Sequence, residues 1–227
     1  MKIILLSVLI LIPQILMGQS FDGSIEADAA VGVSPRWTLQ GKTTLSLESA
    51  KVDCAWGRVA VGAKFNFYSK YSLLAMCSYG YAAYRHLDNR DIQAYICEGI
   101  DINNSQSINQ QIYFEHWRIN YKPSGVHSVA SGLTYAMKFD KKLGELSPWS
   151  VTSRFSLSTN IDSDDARNSF LRRIRIGAGL KRNIKNSISA ELFYGYMLAG
   201  EHQIYMGDMQ NLHIIKLYIH IDKKYSK

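Results

Sequence analysis

The stretch "RRIRIGAGLKRNIKNSISAELFYGY", residues 172–196, decides the fold of this 227-residue chain. Apolar and polar side chains alternate with period two on both sides of a basic turn, which predicts two strands with opposite faces. The apolar face holds Ile174, Ile176, Ala178 and Leu180, and the polar face holds Arg173, Arg175, Gly177, Gly179 and Lys181. In a transmembrane barrel the first face meets lipid and the second meets a wet interior. A turn centred on Ile184 predicts Glu191 opposite Gly177 and diagonal to Arg175, where it can form an ion pair inside the barrel.

The same alternation recurs along the chain and predicts eleven strands. The segments are 24–33, 37–48, 56–67, 71–84, 91–102, 107–121, 126–139, 149–159, 169–181, 187–198 and 209–222. Most of them have the length of about 9–11 residues that a tilted strand needs to cross a bilayer, whereas strands of soluble proteins are shorter. Segments 91–102 and 107–121 alternate least clearly, because both of their faces mix polar and apolar residues.

The connections between these segments differ at the two ends of the predicted strands. Tight turns at 34–36, 68–70 and 182–186, together with the longer 140–148, fall on one side, and polar loops around 85–90, 160–168 and 199–208 fall on the other. The short connection 122–125 departs from this pattern. Five aromatic residues lie at the tight-turn side on the apolar parity of their strands: Trp37, Phe67, Tyr71, Phe139 and Trp149. Short turns at one rim and a girdle of interfacial aromatics are typical of outer-membrane barrels.

The first residues and the composition indicate export and exclude several classes of protein. Residues 1–18 carry one lysine, an apolar run and a small residue at Gly18, which predicts a secretory signal peptide followed by one domain over 19–227. The formal net charge of +7 is spread along the chain, so we expect no nucleic-acid partner. Cys54, Cys77 and Cys97 have neither disulfide-framework nor zinc-site spacing.

Several motifs resemble those of a domain-of-unknown-function family of small outer-membrane β-barrels from Gram-negative bacteria. The likeness is clearest in residues 168–196 and continues into "NLHIIKLYIHI" (211–221), with weaker likeness at 33–48 and 59–81. The chain departs from the usual barrel ending, a terminal Phe or Trp, because it closes with "YIHIDKKYSK". The resemblance implies a closed barrel in the outer membrane, and it implies no catalytic residues. We expect outer-membrane lipid and the barrel-insertion machinery as partners of such a chain.

The sequence predicts no catalytic residues, no metal site and no cofactor. His127 and Ser128 are adjacent, so period two points them to opposite faces, although a triad built from distant strands stays open. The acidic stretch 162–167 lacks the glycine and glutamate that an EF-hand requires. No pair of histidines has ligand spacing on a common face.

What remains is a basic interior. Its predicted members are Arg58, Lys64, Arg154, Arg173, Arg175 and Lys216, with Glu191 as an ion-pair partner. Rings of Lys and Arg favour small anions in pores, but an interior plugged by paired ions and packed side chains is equally compatible with the pattern.

The sequence thus predicts an all-β, closed antiparallel transmembrane barrel of 10–12 strands, surrounded by outer-membrane lipid. Because barrels with both ends in the periplasm have even strand numbers, we expect one of the eleven segments to be false or a short strand to be missed near 19–23. The predicted function is non-enzymatic, either a narrow passive pore or a structural envelope protein. The alternatives are an enzyme acting on lipid and a soluble secreted β-domain that binds a small apolar ligand.

Overall fold

The structure is a computed structural model, which describes residues 20–49, 54–84, 89–103, 107–122, 127–163, 171–199 and 210–224. The predicted signal peptide at 1–18 therefore lies outside the described residues, as does most of the acidic stretch 162–167. Eleven strands account for nearly all of the described chain. They are β1 Ser20–Gly32, β2 Trp37–Ser49, β3 Cys54–Asn66, β4 Tyr71–Tyr84, β5 Asn89–Asn103, β6 Ile108–Lys122, β7 His127–Lys142, β8 Trp149–Ser163, β9 Leu171–Lys185, β10 Ile188–Ala199 and β11 Gln210–Lys223.

The strands form one closed barrel in chain order, which confirms the predicted fold and all eleven segments. Sequential neighbours pair antiparallel, and β1 closes the barrel by pairing parallel with β11 from Ser20–Leu212 to Val31–Lys223. The expectation of an even strand number was therefore wrong. A parallel closing pair satisfies the hydrogen bonds of an odd-numbered barrel, and residues 20–23 extend β1 instead of forming a strand of their own.

The barrel is apolar outside and polar inside. Exposed outward side chains include Ile25, Leu39, Val59, Ile176 and Leu192, whereas most of the side chains buried in the interior are polar or charged. A soluble barrel has the opposite arrangement, because its apolar side chains must leave water. The structure thus excludes the soluble-domain alternative and has the architecture of a transmembrane β-barrel. Among the described residues, no helix is long and apolar enough to cross a membrane.

The geometry of closure sets the size of the interior. Eleven strands at about 4.8 Å spacing and a tilt of about 40° give a circumference of about 70 Å, or a backbone diameter of about 22 Å. Side chains that reach inward from both walls leave a width of about one small solute, which makes the interior side chains decisive for any passage.

The register between β9 and β10 differs from the predicted one. Glu191 lies opposite Lys181, and Gly177 lies opposite Gly195, because β9 continues to Lys185 and a bulge falls between Ile188 and Ser189. The turn is therefore centred two to three residues later than Ile184, and the predicted pairing of Glu191 with Arg175 was wrong.

Candidate functional site in the barrel interior

The interior wall is built from the polar parity of each strand. Among the described residues, its buried polar and charged side chains are Ser24, Glu26, Thr44, Ser46, Ser72, Asp101, Glu115, Thr134, Ser150, Thr152, Ser158, Ser189, Glu191 and Lys216. Small Ser and Thr residues predominate, so longer charged side chains from neighbouring strands extend over them. The candidate functional site is this charged lining.

Glu191 is the centre of an interior cluster that we call the Glu191 cluster: Glu191, Lys138, Thr152, Arg154 and His220. Arg154 donates from Nη2 to Glu191 Oε2 at 2.6 Å and from Nε to Oε1 at 3.3 Å. Thr152 donates to Oε1 at 2.6 Å, His220 Nε2 lies 3.3 Å from Oε2, and Lys138 Nζ lies 3.9 Å from the same oxygen. The carboxylate of Glu191 is wholly removed from solvent and is saturated by these donors.

Arg154 spans the interior from β8 toward β11. Its Cζ lies 3.9 Å from the centre of the Tyr218 ring and 5.8 Å from that of Phe193. Stacking on an aromatic face together with a bidentate carboxylate holds a guanidinium in one orientation. The Glu191 cluster and these two rings therefore fill the part of the lumen that is enclosed by β8–β11.

Glycines of β9 and β10 make this arrangement possible. A Cβ on Gly177 would lie 2.4 Å from Phe193 Cζ, and a Cβ on Gly179 would lie 2.9 Å from Glu191 Oε1. Side chains at these two positions would occupy the space of Phe193 and the Glu191 carboxylate. The alternation of arginine and glycine in β9 thus has a packing reason.

His220 connects the cluster to the closing pair of strands. Its Nδ1 contacts Asp28 of β1 while its Nε2 faces Glu191 of β10, and its ring stacks on Tyr218 with the planes 9° apart. Because β1 and β11 form the parallel junction, this contact joins the two ends of the barrel wall from inside.

Other ion pairs extend the charged lining to the remaining wall. Lys42 lies 2.7 Å from Glu26, and Lys181 lies 2.9 Å from Asp140. Lys64, a predicted interior base, lies 2.5 Å from Asp101 on a nearby strand. Lys64 and Arg154 are thus neutralised by carboxylates, and their positive charge is largely cancelled.

The other predicted bases lie nearer to the long-loop rim. Arg58 donates from Nε to the Ser78 hydroxyl at 2.8 Å, and Arg175 Nη2 lies 3.7 Å from the Met197 sulfur. The Nε of Arg175 is buried and has no hydrogen-bond partner among the described residues. Arg173 precedes Arg175 on the same face of β9, and Lys216 is almost fully buried on β11. Within the part of the chain that the structure describes, no carboxylate contacts Arg58 or Arg175.

Sequence reasoning missed several interior residues. Phe193, Met197, Ile214 and Tyr218 are buried inside although they are large and apolar. The available signal was parity, because Phe193 follows Glu191 by two positions and must share its face. The predicted members of the interior were basic residues and Glu191, and none of these apolar side chains was among them.

The five predicted interfacial aromatics lie at the tight-turn rim. Trp37, Phe67, Tyr71 and Trp149 are exposed on the outer face, and Phe139 is half-buried. A second aromatic set, not predicted, lies toward the long-loop rim: Tyr79, Tyr81, Tyr194 and Tyr196. Tyr71 and Tyr81 are ten residues apart on β4, about 33 Å along the strand and about 25 Å along the barrel axis at a tilt of about 40°. That height equals the apolar band of outer-membrane barrels.

One Ser–His contact lies on the outer face. Ser131 Oγ is 2.8 Å from His116 Nδ1, directly across the β6–β7 pairing, and the Phe114 ring packs edge-on against the imidazole. The sequence search missed this pair because its members lie on different strands. Among the described residues there is no group of three or more metal-ligating side chains.

Comparison with known proteins gives a likeness in fold. No family model matches the sequence, and no curated protein matches it. Among solved structures, the NanC porin aligns with a TM-score of 0.50 and 10% sequence identity over 85% of this chain and 94% of that one. The KdgM porin aligns with a TM-score of 0.46 and 9% identity over the same shares of the two chains. The chain thus has the fold of a small outer-membrane β-barrel, and the resemblance to a domain-of-unknown-function family rests on its motifs alone.

Proposed function

We propose that this protein spans a bacterial outer membrane and acts as a narrow, passive pore that favours small anions. The inside-out barrel and the two aromatic sets about 25 Å apart support the membrane placement. The insertion machinery of that membrane is then the expected assembly partner. No chemical step is assigned to the protein.

The observation that carries the anion preference is Arg175. Its guanidinium lies on the interior face of β9, contacts a thioether, and keeps a buried Nε without a hydrogen-bond partner among the described residues. Because no carboxylate contacts this guanidinium among the described residues, its positive charge stays uncompensated and can attract a passing anion. Arg58 adds a second positive charge whose described acceptor is a neutral hydroxyl.

Ion selectivity in planar bilayers tests this proposal. In a potassium chloride gradient, the reversal potential of the wild-type pore should have the sign of chloride permeation, because fixed positive charge raises the local anion concentration. The variant Arg58→Gln/Arg175→Gln should move the potential toward zero. Lys141→Gln, which removes a charge at the tight-turn rim, is the matched control and should leave it nearly unchanged. Cation selectivity in the wild type would overturn the proposal.

The Glu191 cluster predicts that conductance is small. Arg154, Glu191 and the rings of Phe193 and Tyr218 occupy a barrel of about 22 Å backbone diameter. If planar bilayers show no ion conductance at high protein load although the protein is inserted, the interior is plugged. The proposed function is then a structural role in the envelope instead of a pore.

A lipid-acting enzyme is the second candidate, because Ser131 and His116 lie within nucleophile–base distance on the outer face. No third group orients the imidazole in the contacts that the structure describes, so this candidate ranks below the pore. Ester hydrolysis in lipid vesicles by the wild type and its loss in Ser131→Ala, with Ser153→Ala on the outer face of β8 as control, would favour it. Equal hydrolysis by all three proteins would eliminate it.

A further inference from the structure

The tight-turn rim carries a collar of exposed basic side chains. They lie in two turns, at the ends of β7 and β9, and at and just beyond the end of β11: Arg36, Lys70, Lys141, Lys142, Arg182, Lys185, Lys223 and Lys224. Among the described residues of this rim, the exposed carboxylates are Glu145 and Asp222. The collar is therefore strongly positive, and its members are spread around the barrel instead of gathered at one side.

The collar lies directly beside the aromatic girdle of the same rim. Arg36 precedes Trp37, Lys70 precedes Tyr71, and Arg182 Cζ lies 5.3 Å from the centre of the Trp149 ring. Tryptophan and tyrosine mark the headgroup level of a bilayer, and long basic side chains extend from that level toward the headgroups.

The turns and strand ends of this rim also expose large apolar side chains. Leu146 is completely exposed, and Tyr68, Leu143 and Ile184 are exposed to more than half of their possible extent. Turn tips that meet water have no need of leucine and isoleucine. Apolar and basic residues together are the composition of surfaces that lie in the boundary between headgroups and acyl chains.

We propose that this collar binds the anionic phospholipid headgroups of the membrane leaflet at the tight-turn rim. A protein or polyanion partner would meet one side of the barrel or cover its mouth, whereas lipid surrounds it, as the collar does. This inference rests on the proposed membrane placement but not on the pore. It adds a lipid preference at one rim, carried by named side chains.

Energy transfer in nanodiscs tests the inference. The barrel is refolded in phosphatidylcholine discs that contain a small share of either headgroup-labelled phosphatidylglycerol or equally labelled phosphatidylcholine, and transfer from the rim tryptophans is measured. One basic residue near an anionic surface changes association about fivefold, so we expect the wild type to enrich the anionic label at least fivefold over the zwitterionic one. High salt should abolish this enrichment.

Two variants identify the groups responsible. Lys141→Gln/Lys142→Gln/Lys223→Gln/Lys224→Gln should bring the enrichment close to one. Arg118→Gln, which removes an exposed base near the opposite rim, should preserve it. Equal enrichment of the two labels by the wild type, or equal losses in the two variants, would overturn the inference.

Insertion is monitored separately by the shift of the folded band on boiling in SDS gels. A barrel that shows this shift but enriches neither lipid refutes the collar. A chain that never shows the shift refutes the membrane placement on which the collar rests.

Discussion

Replacement of Glu191 by glutamine should strongly destabilise the barrel. The substitution keeps the shape of the side chain and removes the charge that faces Arg154 at 2.6 Å and His220 at 3.3 Å. Loss of one partner of a buried ion pair costs about 3–5 kcal/mol, because the other charge stays buried and uncompensated. Arg154 retains about a fifth of its side-chain exposure, so part of this cost is screened, and we expect about 2–4 kcal/mol.

Reversible urea unfolding of the refolded protein in lipid vesicles, followed by tryptophan fluorescence, measures the change in the free energy of unfolding. Asp140→Asn is the matched control. In its ion pair, the Lys181 side chain is 20% exposed and that of Asp140 is 24% exposed, so the pair should contribute at most about 1 kcal/mol to the free energy of unfolding. A double-mutant cycle with Arg154→Gln sharpens the test. If the two side chains stabilise each other, the double variant should be less destabilised than the sum of the single variants by at least about 1 kcal/mol.

Two results would refute this reasoning. One is a Glu191→Gln variant within about 0.5 kcal/mol of the wild type, which would mean that the carboxylate is hydrated and its partners are dispensable. The other is strict additivity in the cycle, which would mean that Arg154 and Glu191 do not interact across β9.

Three further predictions concern packing and the lipid face. Gly177→Ala should lower the free energy of unfolding by about 1–3 kcal/mol, because its new Cβ would overlap the ring of Phe193. Gly41→Ala is the control and should change stability little, because no heavy atom lies within 4 Å of a Cβ at that position. Equal effects of the two substitutions would contradict the close packing at Gly177. Leu192→Arg, on the outer face near the middle of β10, should lower the free energy of unfolding in a bilayer by about 2–4 kcal/mol. Leu146→Arg, at a turn tip, is the control and should leave that free energy nearly unchanged. Similar unfolding midpoints for the two variants would place Leu192 outside the lipid. In a variant whose other two cysteines are serine, the exposed Cys77 should react slowly with a membrane-impermeant maleimide in nanodiscs, because lipid covers the thiol. The same thiol should react quickly in urea. Fast labelling under both conditions would place Cys77 in water.

The strands were predictable because alternation is a local property. The arginines and isoleucines of residues 173–176 identify two faces without reference to any other strand, and the structure places Ile176 outside and both arginines on the interior parity. The same holds for the distribution of turns, since a tight connection is visible in a few residues.

Partners across the barrel were not predictable for a physical reason. Contacts between strands depend on register, and a bulge at Ile188/Ser189 together with a longer β9 moved Glu191 away from Arg175. The partner found, Arg154, lies two strands away along the wall, so its position depends on two registers at once. The residue pattern within one strand carries no information on the combined offset of two strand registers. Closure by a parallel pair could likewise not be predicted from the alternation within each strand, because β1 and β11 show the same alternation as the other strands.

The odd strand number has a consequence for how the chain is threaded through the membrane. β1 begins at Ser20 at the long-loop rim, and β11 ends at Lys223 at the tight-turn rim, so the two ends of the wall emerge in different compartments. Ten strands can enter as five hairpins that leave both of their ends on the side of entry. The remaining strand has no hairpin partner, so it must cross the bilayer singly before the parallel junction can form. Translocation of that single strand, followed by the Asp28–His220 contact that links β1 to β11, is therefore the step at which we expect assembly of this barrel to be slowest.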